Sequence, residues 1–424
     1  MHGVVDLYCC VVLFFVDDFF FFFVVLFFCC LFFLLSFLLS LHPLCLLAPT
    51  QLNSTHSAQT ARNNVLYTKT GTIVYFAAAL GVCIDPSLSN QQRYMSEHTD
   101  DLLSIALWDN PNPKRQGSIV ATGEIGKTPK IIVWMSDTMR TLTTLQGAHT
   151  RGVVQLGFSP DGNTLASIGL DNQNSLVLHD WKKGTLVAKM RTGGDKIFGL
   201  SFHTNDMLVS CGHRHMSFWT RTEGGKSLEV SAARFGRALA GEVSVVDVCF
   251  DHFGRTIVAT NLGHIGVFHL ETSGTSMLPL GKGSIQDAHG KAVNCVETIK
   301  GGTQIVSGGT DGVIKLWTCP SMPTGKLQCV KTIDAHEGLA RVPAVQSLSV
   351  SSDGHVLLVG TRGGEMIEVN VSDGGLVREK PLVTGHHYGE VWGLATHPTN
   401  NAVFATRCVV FLGECCWFGG GLLD

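Results

Sequence analysis

The residue patterns that turnover chemistry needs are absent from this chain. No G-x-x-x-x-G-K-[ST] loop occurs to cradle a phosphate, and no G-x-S-x-G elbow to expose a nucleophilic serine. Gly123-Glu124-Ile125-Gly126-Lys127 lacks the length of such a loop and has no Ser after its Lys, and Gly281-Lys282-Gly283 reads as a turn. Charge is scarce: Asp, Glu, Lys and Arg make up 15% of residues, with a net charge of −3. So small a net charge makes no field to recruit nucleic acid, and none is expected as a partner. The cysteines in the body of the chain, Cys83, Cys211, Cys249, Cys295, Cys319 and Cys329, are widely spaced and form no C-x-x-C pair. That argues against a disulfide framework and fits reduced, buried thiols in a cytosolic protein. Neither a cofactor nor a small-molecule substrate is implied.

What is present is a repeat of about 47 residues. Each copy reads as an apolar strand, a tight turn, a second apolar strand ending in Ser or Thr plus Gly, and a third strand ending in an aromatic. Third-strand ends recur at Trp134, His179, Trp219, Phe268, Trp317 and Val369. Period and phrasing fit an all-β, seven-bladed WD40-type β-propeller with four strands per blade around a central channel. Blade openings fall near His98, His149, Asp195, Glu242, His289, His336 and His387. The repeat from His387 breaks off after Thr406, so a last, incomplete blade is expected, with an aberrant tail at 407–424.

The histidines invite a metal or general-base reading, but their spacing favours structure. His289, Ser307, Asp311 and Trp317 have the spacing of the WD40 structural tetrad, a buried hydrogen-bond chain from loop to strand to turn to indole. His149, Ser167 and Asp171 repeat three members, with His179 at the Trp position. His213-Arg214-His215 and His386-His387 look more ligand-like, yet a histidine pair alone falls short of a metal's ligand set. No catalytic residue and no metal ligand is therefore assigned.

Residues 1–49 differ from the body. They hold 12 of the 24 Phe, and between Phe19 and Leu41 the only polar residues are Ser36 and Ser40. That stretch is long enough to span a bilayer. However, no Lys or Arg precedes Arg62, so the charges that orient a span or open a signal peptide are missing. Phe, Leu, Val, Cys and Ser all have T-rich codons, so a pyrimidine-rich noncoding stretch read in frame gives the same composition. Both readings stand, and a membrane partner is expected only if 19–41 is a genuine span. A linker at 50–59 follows.

Between linker and first blade lie Arg62-Asn63-Asn64-Val65-Leu66-Tyr67 and Gly71-Thr72-Ile73-Val74-Tyr75-Phe76-Ala77, then Gln91-Gln92-Arg93-Tyr94 and His98-Thr99-Asp100-Asp101. By pattern this is a buried strand pair leading into the propeller. It resembles the HELP motif, here 60–97, that precedes the repeats of echinoderm microtubule-associated protein-like proteins. The resemblance continues through Thr122-Gly123-Glu124, Asp180-Trp181-Lys182-Lys183-Gly184 and His213-Arg214-His215 to about residue 406. It implies a cytoplasmic, cytoskeletal scaffold without catalysis, partnered by microtubules or tubulin and other proteins. It also implies a second propeller for HELP to pack on, whereas one HELP–propeller unit (98–406) is seen here. Neither a coiled coil nor any family counterpart of segments 1–49 and 407–424 is found. Lys114, Arg115, Lys127, Lys130, Lys182 and Lys183 are then candidates to converge on one tubulin-facing rim. A generic peptide-docking adaptor, such as a ubiquitin-ligase substrate receptor, is the rival reading.

A genuine span at 19–41 keeps the protein in the membrane fraction after carbonate washing. Transcripts that begin downstream of Ala48 would instead assign residues 1–49 to noncoding sequence.

Overall fold

A computed structural model of the protein describes residues 62–88, 90–111, 117–222, 227–233, 243–268, 285–319, 326–335, 342–384, 391–396 and 404–408. The expectations for 1–59, Lys114, Arg115, Glu242, His336, His386, His387 and 409–424 lie outside these residues. The described chain is all strand and turn, apart from one short 3-10 turn at Lys300–Gly302. No helix among the described residues is long and apolar enough to cross a membrane.

The strands form a series of antiparallel sheets in chain order. Sheet 1 comprises β1 (Val65–Tyr67), β2 (Ile73–Ala77), β3 (Leu80–Asp85) and β4 (Gln91–Met95). Sheet 2 holds β5 (Leu102–Trp108), β6 (Ile119–Gly126), β7 (Ile131–Met135) and β8 (Thr141–Leu145). Sheet 3 holds β9 (Arg151–Phe158), β10 (Thr164–Gly169), β11 (Ser175–Asp180) and β12 (Thr185–Arg191), and β9 also pairs briefly with β6. Sheet 4 runs through β13 (Ile197–Phe202), β14 (Met207–Gly212), β15 (His215–Arg221) and β16 (Leu228–Ala232). Sheet 5 runs through β17 (Val245–Phe250), β18 (Thr256–Thr260), β19 (His264–Phe268) and β20 (Ile285–Asp287). Sheet 6 has β21 (Val293–Ile299), β22 (Gln304–Gly309), β23 (Val313–Thr318) and β24 (Gln328–Asp334). Sheet 7 has β25 (Val345–Val350), β26 (Val356–Thr361) and β27 (Met366–Asn370). Beyond it, β28 (Val391–Thr396) pairs with β29 (Phe404–Cys408).

Seven apolar clusters show how the sheets are arranged, because each cluster fills the seam between two of them. Cores join sheet 1 to 2, 2 to 3, 3 to 4, 4 to 5, 5 to 6 and 6 to 7. The seventh joins sheet 7 to sheet 1, with Val65, Ile73, Tyr75 and Ile84 against Leu358, Met366 and Val383. The cycle is therefore closed, a propeller of seven blades. Its membership differs from the sequence reading in one respect. The HELP segment forms more than a strand pair: it folds as a complete four-stranded blade and packs within this ring, between sheets 7 and 2. The cycle closes without the repeat that opens near His387. Ile73 and Ile84 are fully buried there, which explains why Ile73-Val74-Tyr75-Phe76-Ala77 is an unbroken apolar run.

Burial along each blade follows from its position between two neighbours. Middle strands meet a sheet on both faces, so β10 is buried at every residue, while the outer β12 is mostly exposed. The inner strands of sheets 2 to 7 share a β-bulge, at Leu103, Val154, Phe198, Val246, Asn294 and Gln346. A bulge adds local twist, and here it accompanies polar bonds from one inner strand to the next. Ser104 Oγ donates to the Val153 carbonyl (2.8 Å), Gln155 Nε2 to Phe198 (2.9 Å) and Asn294 Nδ2 to Val345 (2.7 Å). At the closing seam the Val65 and Tyr67 amides donate to Ser347 Oγ (3.2 Å) and Ser349 Oγ (3.0 Å). The Tyr67 hydroxyl donates to Glu368, which also accepts from Arg378 Nε (2.7 Å).

Removing residues 60–80 strips β1 and β2 from the first sheet and exposes the apolar faces of sheets 7 and 2. An insoluble product is expected. A deletion protein that stays soluble and melts cooperatively would rule out closure by this sheet.

Candidate functional site

The glycine after the second-strand Ser or Thr is required by the neighbouring blade. A Cβ on Gly308 would lie 2.4 Å from Val345 Cγ1, so a side chain there would force sheets 6 and 7 apart. Next to it, in sheet 6, His289 Nε2 bonds Ser307 Oγ (2.8 Å), which accepts from Trp317 Nε1 (2.9 Å). His289 Nδ1 faces Asp311 Oδ1 at 3.1 Å. Sheet 3 varies the theme. His149 Nε2 bonds Ser167 Oγ (2.7 Å), His179 Nε2 lies 3.0 Å from the same oxygen, and His149 Nδ1 meets Ser175 Oγ at 3.2 Å. Ser175 in turn donates to Asp171, so the carboxylate acts through a hydroxyl.

Sheet 2 holds a further four-residue chain that sequence spacing did not flag. His98 bonds Thr122 Oγ1 through Nε2 and Glu124 Oε2 through Nδ1, each at 2.8 Å, and Trp134 Nε1 donates to Thr122 Oγ1 (3.2 Å). Glu124 occupies the position of Gly309, where a Cβ would lie 2.2 Å from the Asp311 carboxylate. The carboxylate thus arrives from the strand instead of the turn, and a Glu two residues after Thr122 is the signal. Burial works to raise the Glu124 pKa. Hydrogen bonds from the Thr99 amide, His98 and the Lys130 amide outweigh it, and the carboxyl sits below its usual range. Sheet 4 retains Ser210, which accepts from Trp219 Nε1 (2.8 Å) and meets His215 Nε2 at 2.8 Å.

These networks leave the histidines committed. His213 Nδ1 faces Ser244 Oγ of the next sheet (3.0 Å), so it does not act with His215. One group with metal-like proximity occurs among the described residues, Asp251, His252 and Cys319. Its carboxylate is already bound by the buried Arg255, Nε to Oδ2 at 2.5 Å, and a guanidinium in that position opposes a cation.

The end of each blade that carries these histidines also carries the second-to-third-strand hairpins, and we term it the upper face. Arg62 and Asn63 enter the ring there. The Asn63 amide donates to the Gln346 carbonyl (3.3 Å), while the Arg62 guanidinium lies 4.8 Å from the Phe198 ring centroid on sheet 4. Burial lowers the Arg62 pKa and raises that of Asp247, which accepts from the Val296 amide (2.9 Å). The described candidates, Lys127, Lys130, Lys182 and Lys183, do not converge. Lys127 and Lys130 lie in the β6–β7 hairpin on the upper face. Lys182 and Lys183 lie in the β11–β12 turn on the lower face. There Lys182 Nζ bonds Asn163 Oδ1 (2.6 Å) and Lys183 Nζ bonds Asp180 (2.8 Å). Successive loops within each blade alternate between the two ends, so nearness in sequence does not put lysines on one face.

Comparisons with known proteins agree with this architecture. Residues 91–369 match the family model described as the echinoderm microtubule-associated protein first beta-propeller, and residues 56–82 match the HELP motif. The chain is 30% identical over 352 residues to human echinoderm microtubule-associated protein-like 2, covering 81% of this chain and 50% of that protein. It is 27% identical to human echinoderm microtubule-associated protein-like 1, covering 80% of this chain and 40% of that one. With the 77 kDa echinoderm microtubule-associated protein of Lytechinus variegatus, identity is 26% over 80% of this chain and 48% of the relative. The chain thus spans about half the length of the curated relatives it matches. Among solved structures, a chain of a mitotic checkpoint complex aligns with a TM-score of 0.56 at 15% identity, covering 77% of this chain and 90% of that one. A Cps50 (Swd1) β-propeller domain aligns at 0.51 and 15%, covering 69% and 90%. At such identity these two likenesses speak for the fold alone.

Two outcomes test the networks. Asp311→Ala is expected to destabilise by about 1–3 kcal/mol in denaturant melts, because His289 loses its buried acceptor. A change within noise would mean the four residues are not one network. The second concerns pH. Burial, joined at His149 by the neighbouring His179, lowers both pKa values to about 4, against roughly 6.5 in an unfolded chain. The folded rings stay neutral while the unfolded chain takes up protons. Stability is complete above pH 6.5 and falls as pH drops toward 4. His179→Gln should make that decline shallower, and equal slopes for the two proteins would contradict it.

Proposed function

The chain belongs to the echinoderm microtubule-associated protein-like family, and from that premise we propose that it acts as a non-catalytic scaffold on microtubules or tubulin in the cytoplasm. The match of well over half the chain to the family's first propeller carries this reading. The internal chemistry is in keeping with it. The buried histidines, hydroxyls and carboxylates of sheets 2, 3, 4 and 6 bond one another. Groups held in that way are not poised to move protons on a substrate. Partner binding then falls to exposed loops on the two faces of the ring, the part of a propeller that varies without disturbing its core.

Tubulin surfaces are acidic, so such binding is electrostatic and screened over a Debye length of about 8 Å at physiological salt. A single propeller unit gains no avidity and binds weakly. The full chain should co-sediment with microtubules at low salt with micromolar-range or weaker affinity, and release as salt rises. Absence of pelleting above background at low salt would remove direct lattice binding.

A further inference from the structure

The cations best placed for an acidic partner are ones the sequence did not single out. Backbone bonds fix a rim around the upper channel mouth, where each hairpin after a second strand meets the start of an inner strand. The His213 amide donates to the Lys196 carbonyl (2.8 Å), Arg214 to Val243 (3.1 Å), Arg362 to Ala344 (2.8 Å) and Leu170 to Gly152 (2.9 Å). Arg151, Lys196, Arg214, Lys291 and Arg362 all lie on this rim, contributed by sheets 3, 4, 6 and 7, and all are exposed. None forms an ion pair among the described residues; Arg151 bonds only the neutral Asn172 (2.8 Å). Leu170 and Leu262 stand among them, 39% and 53% exposed. Both are hairpin residues, and their side chains have no role in the seams.

Most anions on the same face over these sheets already have partners. Asp195 and Asp334 are exposed, and Asp287 faces His264 at 3.1 Å. Asp171 and Asp311 are committed to the networks described above. Among the described residues the rim turns acidic toward sheet 2, with Asp100 and Asp101. Arg62 sits within the mouth beneath.

We propose that this rim is the docking surface for an extended acidic peptide with apolar residues among its carboxylates, lying across the mouth from sheet 3 to sheet 7. The inference rests on the scaffold reading above and names the face that carries it. A peptide fits better than a nucleic acid or a lipid surface because two exposed leucines stand among the cations and the whole chain is net negative. Five side-chain charges around the mouth, none in an ion pair among the described residues, match a chain of carboxylates, whereas Lys182 and Lys183 on the lower face are already partnered.

The test is a fluorescence-anisotropy titration of the full chain with a labelled synthetic peptide of glutamate with interspersed leucine and glycine. Binding is expected at low salt. The double variant Lys196→Glu/Arg214→Glu should weaken it about tenfold or more, since like-charge contacts replace attraction. Lys291→Glu/Arg362→Glu, across the mouth, should do the same, and Lys182→Glu/Lys183→Glu should leave it unchanged. Thermal melts of each variant check that the ring is intact. Equal binding by wild type and both rim variants overturns the proposal, as does equally tight binding of a leucine-free oligothymidylate. Microtubule co-sedimentation of the same proteins separates the two readings. Peptide binding that depends on the rim, with no pelleting by any protein, supports the rim and removes lattice binding. Pelleting by wild type that is unaffected in the rim variants overturns the rim and retains the scaffold.

Discussion

Everything in this molecule depends on one seam, where the first sheet meets the seventh. Val65 and Tyr67 are hydrogen-bonded to Ser347 and Ser349 across 282 residues of chain, and an apolar core fills the space behind them. Among the described residues no strand from the far end of the chain joins sheet 1, whose four strands follow one another in sequence. Closure there rests on packing, on side-chain bonds and on the Asn63–Gln346 backbone bond, without a shared ladder. Ordering that contact requires the intervening blades to be in place, so its loop-closure cost is met only when the whole ring forms. Left open, sheets 1 and 7 would each present a flat apolar face to solvent.

The networks inside the blades serve the same end by a different route. A chain of His, Ser or Thr, and Trp, completed by an acid, ties the loop entering a blade to its second and third strands. Three sheets assemble it, with His179 in place of the Trp in sheet 3, and the acid joins differently in each: Asp311 directly from a turn, Asp171 from the equivalent turn through Ser175, and Glu124 from the strand itself. What is kept is a satisfied buried polar chain, since an unmade bond in that setting is costly. This division leaves the interior occupied with holding the ring and assigns partner contact to the rim.

Much of this was legible before any coordinates, and the losses have physical causes. Second and third strands are buried on both faces, so they read as continuous apolar runs, and their ends at Trp134, Trp219 and Trp317 mark the blades. Ser307-Gly308 was legible because close approach of the next blade admits no Cβ there. Outer strands such as Thr185–Arg191 are mostly exposed and carry no clean apolar–polar alternation. Sheet 1 was half read: Ile73–Ala77 stands out, but Gln91–Met95 is polar and half-exposed. Sheet 1 also lacks the Trp ending that would have announced a blade. Glu124 was seen only as part of a resemblance, because its role depends on replacing a glycine. The nearness of the rim cations is created by closure of the ring and leaves no trace in local spacing.

Native-state hydrogen exchange reads the closing seam most directly. If sheet 1 is a blade of the ring, the amides of Ile73–Ala77 open only with global unfolding. Their exchange free energy should then match that of Thr164–Gly169 in sheet 3 to within about 1 kcal/mol. Exchange of Ile73–Ala77 through a local opening several kcal/mol less costly, with sheet 3 still protected, would show that the ring stands without this sheet and would contradict the account.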